Sequence, residues 1–235
     1  MKKISLSIGV IIAAMVLLPL AAQATSLKVM QYADTGYDVS REIDGKYHGP
    51  HYVGKVNAVL YDDNGQPLNG GEWFTGFCVE PGAPLSSGDL IHNSVTPEEF
   101  DNGRGLDSIG LKAAWLLDTY YYGKTETNFQ FTSLQLALWE VVRDEEVYDL
   151  SAGNFQVLSG NVDAIKNANS YLVDLQNNFY TADIARLNAE YEVFVDAGKQ
   201  DLIFKTGEVP EPSTLLLLGS GMLGAIAIKR KRTKK

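Results

Sequence analysis

The chain opens with Lys2 and Lys3, runs apolar from Ile4 to Leu20, and then offers Ala22-Gln23-Ala24. A charged start, a short apolar run and an A-x-A site are the parts of a secretory signal peptide, so residues 1–24 are expected to be removed between Ala24 and Thr25. An uncleaved N-terminal anchor is the other reading of such a run, but the small-residue site follows it directly. Export constrains everything downstream. Exported domains are commonly stapled by disulfides, yet this sequence has one cysteine, Cys78, and a lone cysteine cannot staple its own chain. The body must therefore be held by a hydrophobic core.

The other end repeats the same kinds of parts in a different order: Val209-Pro210-Glu211-Pro212-Ser213-Thr214, an apolar stretch from Leu215 to Ile228, then the basic run 229–235. As a helix the apolar stretch would be roughly 21 Å long, against about 30 Å for a bilayer core. Such a stretch fits transient membrane insertion with its basic end held in the cytoplasm. The order of Pro210-Glu211-Pro212, short apolar helix and basic cluster resembles the PEP-CTERM sorting signal of exported Gram-negative proteins. That resemblance implies recognition by an exosortase, a membrane enzyme that cuts near the Pro-Glu-Pro, and a final place on the cell surface, in the matrix or in the medium. A plain C-terminal hydrophobic anchor is the alternative.

Between the two signals lies one domain, residues 25–208, long enough for a real core. The whole chain carries 20 basic and 29 acidic residues. Eight of the basic residues and only Glu211 of the acidic ones lie in the signals, which leaves the body near −16. Such a surface repels nucleic-acid phosphates and anionic lipid, and the basic terminus reads as a topogenic signal rather than a nucleic-acid patch.

Along the body, Tyr52 to Tyr61 alternates in strand fashion, and Asp63-Asn64-Gly65 supplies turn chemistry. A second strand is expected over Trp73 to Val79, with Cys78 sharing a face with Phe74 and Gly76. Helical spacing takes over from Leu106 to Tyr121, again after Thr132, and from Val162 to Leu175. Tyr191–Val195 and Leu202–Phe204 flank Asp196-Ala197-Gly198 as a closing hairpin. Strands, then helices, then strands predict an α+β fold: a mostly antiparallel β-sheet or barrel with an inserted helical subdomain.

Two segments stand out, Trp73-Phe74-Thr75-Gly76-Phe77-Cys78-Val79-Glu80-Pro81-Gly82 and Phe131-Thr132-Ser133-Leu134-Gln135-Leu136-Ala137-Leu138-Trp139-Glu140. They resemble the paired motifs of bacterial surface thioester domains, an aromatic-Cys motif on a strand and a Thr-Gln-x-Ala-Ile-Trp motif on a helix. Leu134 stands where that family has its Thr, while Gln135, Ala137, Leu138 and Trp139 match. The resemblance implies an internal thioester between Cys78 Sγ and Gln135 Cδ, shielded by Trp139 and Phe77. It also implies covalent adhesion to an unknown amine-bearing target in a single-use reaction, without enzymatic turnover and without a cofactor or metal. An acylated sulfur would also explain a lone cysteine in an oxidising compartment.

Ordinary alternatives stand beside this reading. Cys78 could be a small buried hydrophobe, and Thr132-x-x-Gln135 matches a capping box, in which Gln135 would be spent on the helix end. The whole protein could equally be a non-reactive structural component of a biofilm or matrix. Cysteine-protease chemistry would need His48, His51 or His92 beside Cys78, and none sits in a suitable local motif. His48-x-x-His51 lacks the further ligands of a metal set, and Asp62-Asp63-Asn64-Gly65 lacks the distal Glu of a calcium loop.

Overall fold

The computed structural model describes residues 24–32, 36–121, 127–144 and 147–206. The leader before Ala24, Pro210, Glu211, Pro212 and the apolar stretch 215–228 lie outside the described residues. Among the described residues no helix is long and apolar enough to cross a membrane.

A seven-stranded antiparallel sheet is built from β1 (Ser26–Tyr32), β4 (Val56–Tyr61), β5 (Phe74–Cys78), β6 (Leu90–Ile91), β7 (Asn93–Val95), β9 (Tyr191–Val195) and β10 (Leu202–Lys205). Its strand order is β6-β1-β4-β5-β10-β9-β7. The edge strands β6 and β7 are separated in sequence by His92 alone. One short segment thus serves both margins, so the sheet must curl until they approach, which makes it a nearly closed barrel and removes most of the exposed edge. Cross-strand residues share a face. Leu27 pairs with Leu60, Val29 with Ala58, Val56 with Gly76, Gly76 with Phe204, Cys78 with Leu202, and Leu202 with Phe194. These residues line one face, and Phe77 on the other face packs its ring against Tyr121 and Phe131 of the helical layer. Cys78 therefore belongs to the barrel-facing side.

A second, three-stranded sheet has the order β3-β2-β8, formed by β2 (Tyr37–Ile43), β3 (Lys46–Val53) and β8 (Phe155–Ser159). The helices α1 (Ile109–Tyr120), α2 (Asn128–Arg143) and α3 (Val162–Asn178) enter between β7 and β9, and α4 (Ile184–Glu190) leads into β9. The α+β fold with a helical insertion is the one expected from the sequence.

The helix α2 is the axis of the molecule. Every residue from Phe131 to Val142 is buried, the polar Thr132, Ser133, Gln135 and Glu140 included. It touches α1, α3, the small sheet through β2, β3 and β8, and the barrel through β5.

Three expectations are corrected in detail. The alternating run Tyr52 to Tyr61 is not one strand: it breaks at Gly54-Lys55, so that β3 ends in the small sheet and β4 begins in the barrel. The helix expected after Thr132 starts earlier, at Asn128, because Thr127 is its N-cap and accepts a hydrogen bond from the Gln130 amide at 3.2 Å. The third helix runs on to Asn178, three residues past Leu175. The Asp62 turn forms as expected, with Asp62 Oδ1 accepting from the Asn64 and Gln66 amides.

Candidate functional site

The strand β5 ends at Cys78, and its two edges are used differently. Backbone groups of successive strand residues point to alternate sides. The amide of Val79 donates to Asp201 O at 2.8 Å, on the β10 side, which turns both the N–H and the C=O of Cys78 toward β4. But β4 starts at Val56, opposite Gly76, and has no residue to offer Cys78. Gln135 fills that vacancy from α2. Its Oε1 accepts the Cys78 N–H at 2.9 Å, and its Nε2 donates to the Cys78 C=O at 2.6 Å. The carboxamide thus mimics the peptide group of a missing strand residue. The fixed polarity of the Cys78 backbone also settles which end of the carboxamide is oxygen.

This pair is sequestered: Cys78 is 2% exposed and Gln135 fully buried. Burial drives the Cys78 thiol pKa well above its ordinary range, opposed by the charge of Arg41. The two motifs singled out in the sequence, 57 residues apart, are therefore in direct contact.

Thr132 does not cap a helix. It sits inside α2, where its hydroxyl donates to Val53 O at 2.9 Å and accepts from the Tyr37 amide at 2.9 Å. Gln135 is accordingly free of the helix end, and the capping-box explanation for it falls. Phe77 is fully buried, stacked edge-on to Tyr121 with centroids 5.1 Å apart. Trp139, one helical turn beyond Gln135, is buried at 3% exposure. It packs against Phe155 of β8 at 5.8 Å and under the Arg41 guanidinium, which lies 4.7 Å from its ring centroid. Sequence reasoning missed Arg41. Its only linear signal was a basic residue in the alternating run of β2, and its buried position is set by pairing with His48 and Val157.

The loop after Cys78 is held too. Arg143 Nη2 donates to Pro81 O at 3.0 Å, and Gln200 Nε2 donates to Glu80 O at 3.0 Å. His48 lies beside Gly82, where an added Cβ would come within 3.8 Å of its ring. Its pKa is lowered by burial and by Arg41. His51 is on the same strand three residues on, hence of opposite parity, and pairs with Val39. Among the described residues no group of three or more His, Cys, Asp or Glu side chains is placed to hold a metal ion. At the far end of the region, Ala24 is fully buried and its carbonyl accepts from Ser94 Oγ at 2.9 Å, while the Thr25 amide donates to Tyr61 O at 2.9 Å.

Comparison with known families matches residues 208–232 to the PEP-CTERM protein-sorting motif. No curated protein and no solved structure matches the chain. The motif is the mark of an exported, cell-surface-associated protein processed by an exosortase, and this chain carries it.

Proposed function

We propose that the exported body is a single-use covalent adhesin, in which Cys78 and Gln135 form an internal thioester that an amine on a surface or matrix target later opens. The observation that carries the reading is the reciprocal pair of hydrogen bonds between the Gln135 carboxamide and the Cys78 backbone, sealed from solvent.

The chemistry follows from that geometry. Cys78 Sγ, as thiolate, attacks Gln135 Cδ. The carbonyl oxygen that gains charge in the tetrahedral intermediate is Oε1, already held by the Cys78 N–H at 2.9 Å, a distance suited to oxyanion stabilisation. The Cδ–Nε2 bond breaks and ammonia leaves, taking up the proton that the thiol gave. The thioester formed is far more electrophilic than the amide it replaces, and the dry surroundings keep water from it. A target amine then attacks Cδ, the C–S bond breaks, the sulfur recovers a proton from the amine, and the target is left joined to Gln135 by an amide. Phe77 and Trp139 close the pair off on the helical side. Each chain reacts once, so the process is attachment rather than turnover.

The sorting tail fits this use, since exosortase processing puts the body outside the cell, where targets are. A non-reactive matrix role predicts a different outcome in one experiment. The purified exported protein is incubated with a fluorescent primary amine. Stoichiometric covalent labelling at Gln135, with one thiol released at Cys78 and none in Cys78→Ala or Gln135→Ala, is the expected result. An unlabelled protein with a free thiol throughout would leave the structural role standing.

A further inference from the structure

Closing the thioester and opening it share one electrostatic demand. The sulfur carries negative charge in both, as attacking thiolate in the first step and as leaving thiolate in the second. Its surroundings oppose this, because Cys78 lies in a desolvated site that disfavours any charged form.

A buried cation lies in the same region. Arg41 is 6% exposed, and arginine is almost never so buried unless something holds it. One partner is Trp139, whose ring lies 4.7 Å below the guanidinium carbon and is backed by Phe155. Trp139 is also one turn from Gln135 on α2, so the helix that supplies the acyl group supplies the platform for the charge. We infer that Arg41, held over the Trp139 ring, supplies the positive charge that stabilises the Cys78 thiolate in both the closing and the opening of the Cys78–Gln135 thioester. This rests on the thioester reading above.

The other charged groups around the pair do not replace Arg41. Burial and the charge of Arg41 lower the pKa of His48 of β3, which disfavours a second cation there, and Arg143 of α2 is engaged with Asp44 and Pro81 O. Lys55, just before β4, sits over the Phe131 ring. Glu80, two residues after Cys78, and Asp201, leading into β10, are acidic side chains and bring no positive charge. Arg41 is the group whose charge draws the Cys78 thiol toward ionisation. Trp139 then acts as a positioning residue rather than only as a wall.

The test compares the exported wild-type protein with Arg41→Met and Arg41→Lys. Intact mass gives the fraction of chains that have lost ammonia, and thiol release gives the rate of methylamine opening across a range of pH. Arg41→Met is expected to slow opening by up to about tenfold for each pKa unit by which the leaving thiolate is disfavoured and to lower the fraction of chains that have lost ammonia, whereas Arg41→Lys restores most of both. Arg41→Gln decides the matter in the same way if Arg41→Met does not fold. Wild-type opening rates and a wild-type fraction of closed chains in the uncharged variants would overturn the role of Arg41 alone, as would a lysine variant as slow as the uncharged ones. A wild-type protein of full mass that never reacts overturns the thioester itself and this inference with it.

Discussion

A thioester between Cys78 and Gln135 is a cross-link, and a cross-link has a stability signature that hydrogen bonds do not. The two residues are 57 apart in sequence. In the chain-entropy treatment of disulfides, closing a loop of that length removes about 14 cal/mol/K from the unfolded chain, or about 4 kcal/mol at room temperature. Cys78→Ala removes the sulfur but keeps the backbone N–H and C=O that hold Gln135. Without a thioester the variant therefore loses only the burial of a small side chain, about 1 kcal/mol. With one, it loses about 5 kcal/mol in total, which for a body of this size lowers Tm by roughly 10–20 °C. Urea unfolding in amine-free buffer measures the difference, and the m-value gives an independent sign, since an unfolded chain without the cross-link exposes more surface. Gln135→Ala should lose the same cross-link and, in addition, leave two buried backbone groups of Cys78 unpaired at about 1–3 kcal/mol each. The double variant should then be only slightly worse than Gln135→Ala, a coupling of about 4 kcal/mol. Single variants whose costs simply add, with Cys78→Ala within about 1 kcal/mol of wild type, would refute the cross-link.

Glu140 is fully buried in α2, with Oε1 accepting the Asp149 amide at 2.6 Å, and burial pushes its pKa up to about 8. Its folded-state pKa is raised, so the associated stability is complete at acidic pH and is lost as pH rises through about 8. Glu140→Gln keeps the acceptor and removes the titration, and should exceed wild type by on the order of 3 kcal/mol at pH 9 but not at pH 4 in denaturant unfolding. Thr132→Val deprives Val53 O of a donor and the Tyr37 amide of an acceptor, and should cost about 2 kcal/mol; equal stability by urea midpoint would mean that the small sheet is not tied to α2 there. Gly76→Ala places a Cβ 2.4 Å from Ile203 O and 2.6 Å from the Phe204 ring. Because backbone cannot yield cheaply, it should lower stability by about 3 kcal/mol or more, and a thermal midpoint close to wild type would contradict the register of β5 with β10.

The C-terminal signal was legible because it depends only on the order of local elements: Pro-Glu-Pro, apolar run and basic cluster. The α+β class was legible from the change of period between Cys78 and Leu106. The juxtaposition of Cys78 and Gln135 could be anticipated only through the paired motifs, since no local rule joins residues so far apart. What escaped was tertiary in origin. The alternation of β3 continues without interruption into β4, so the pattern alone could not show that the chain changes sheets at Gly54-Lys55. Thr127-x-x-Gln130 and Thr132-x-x-Gln135 both satisfy the capping pattern, and the choice between them rests on Val53 O and the Tyr37 amide, which occupy Thr132 from distant strands. Arg41 was missed because its burial depends on Trp139, which comes beneath it from a helix distant in sequence.

The central claim is tested most directly by the intact mass of the exported protein, purified without added amines. A protein lighter than its sequence by one ammonia, which then gains the mass of one methylamine when treated with it, is the required result. A protein of full sequence mass, with Cys78 present as a thiol and no gain on methylamine treatment, would contradict it.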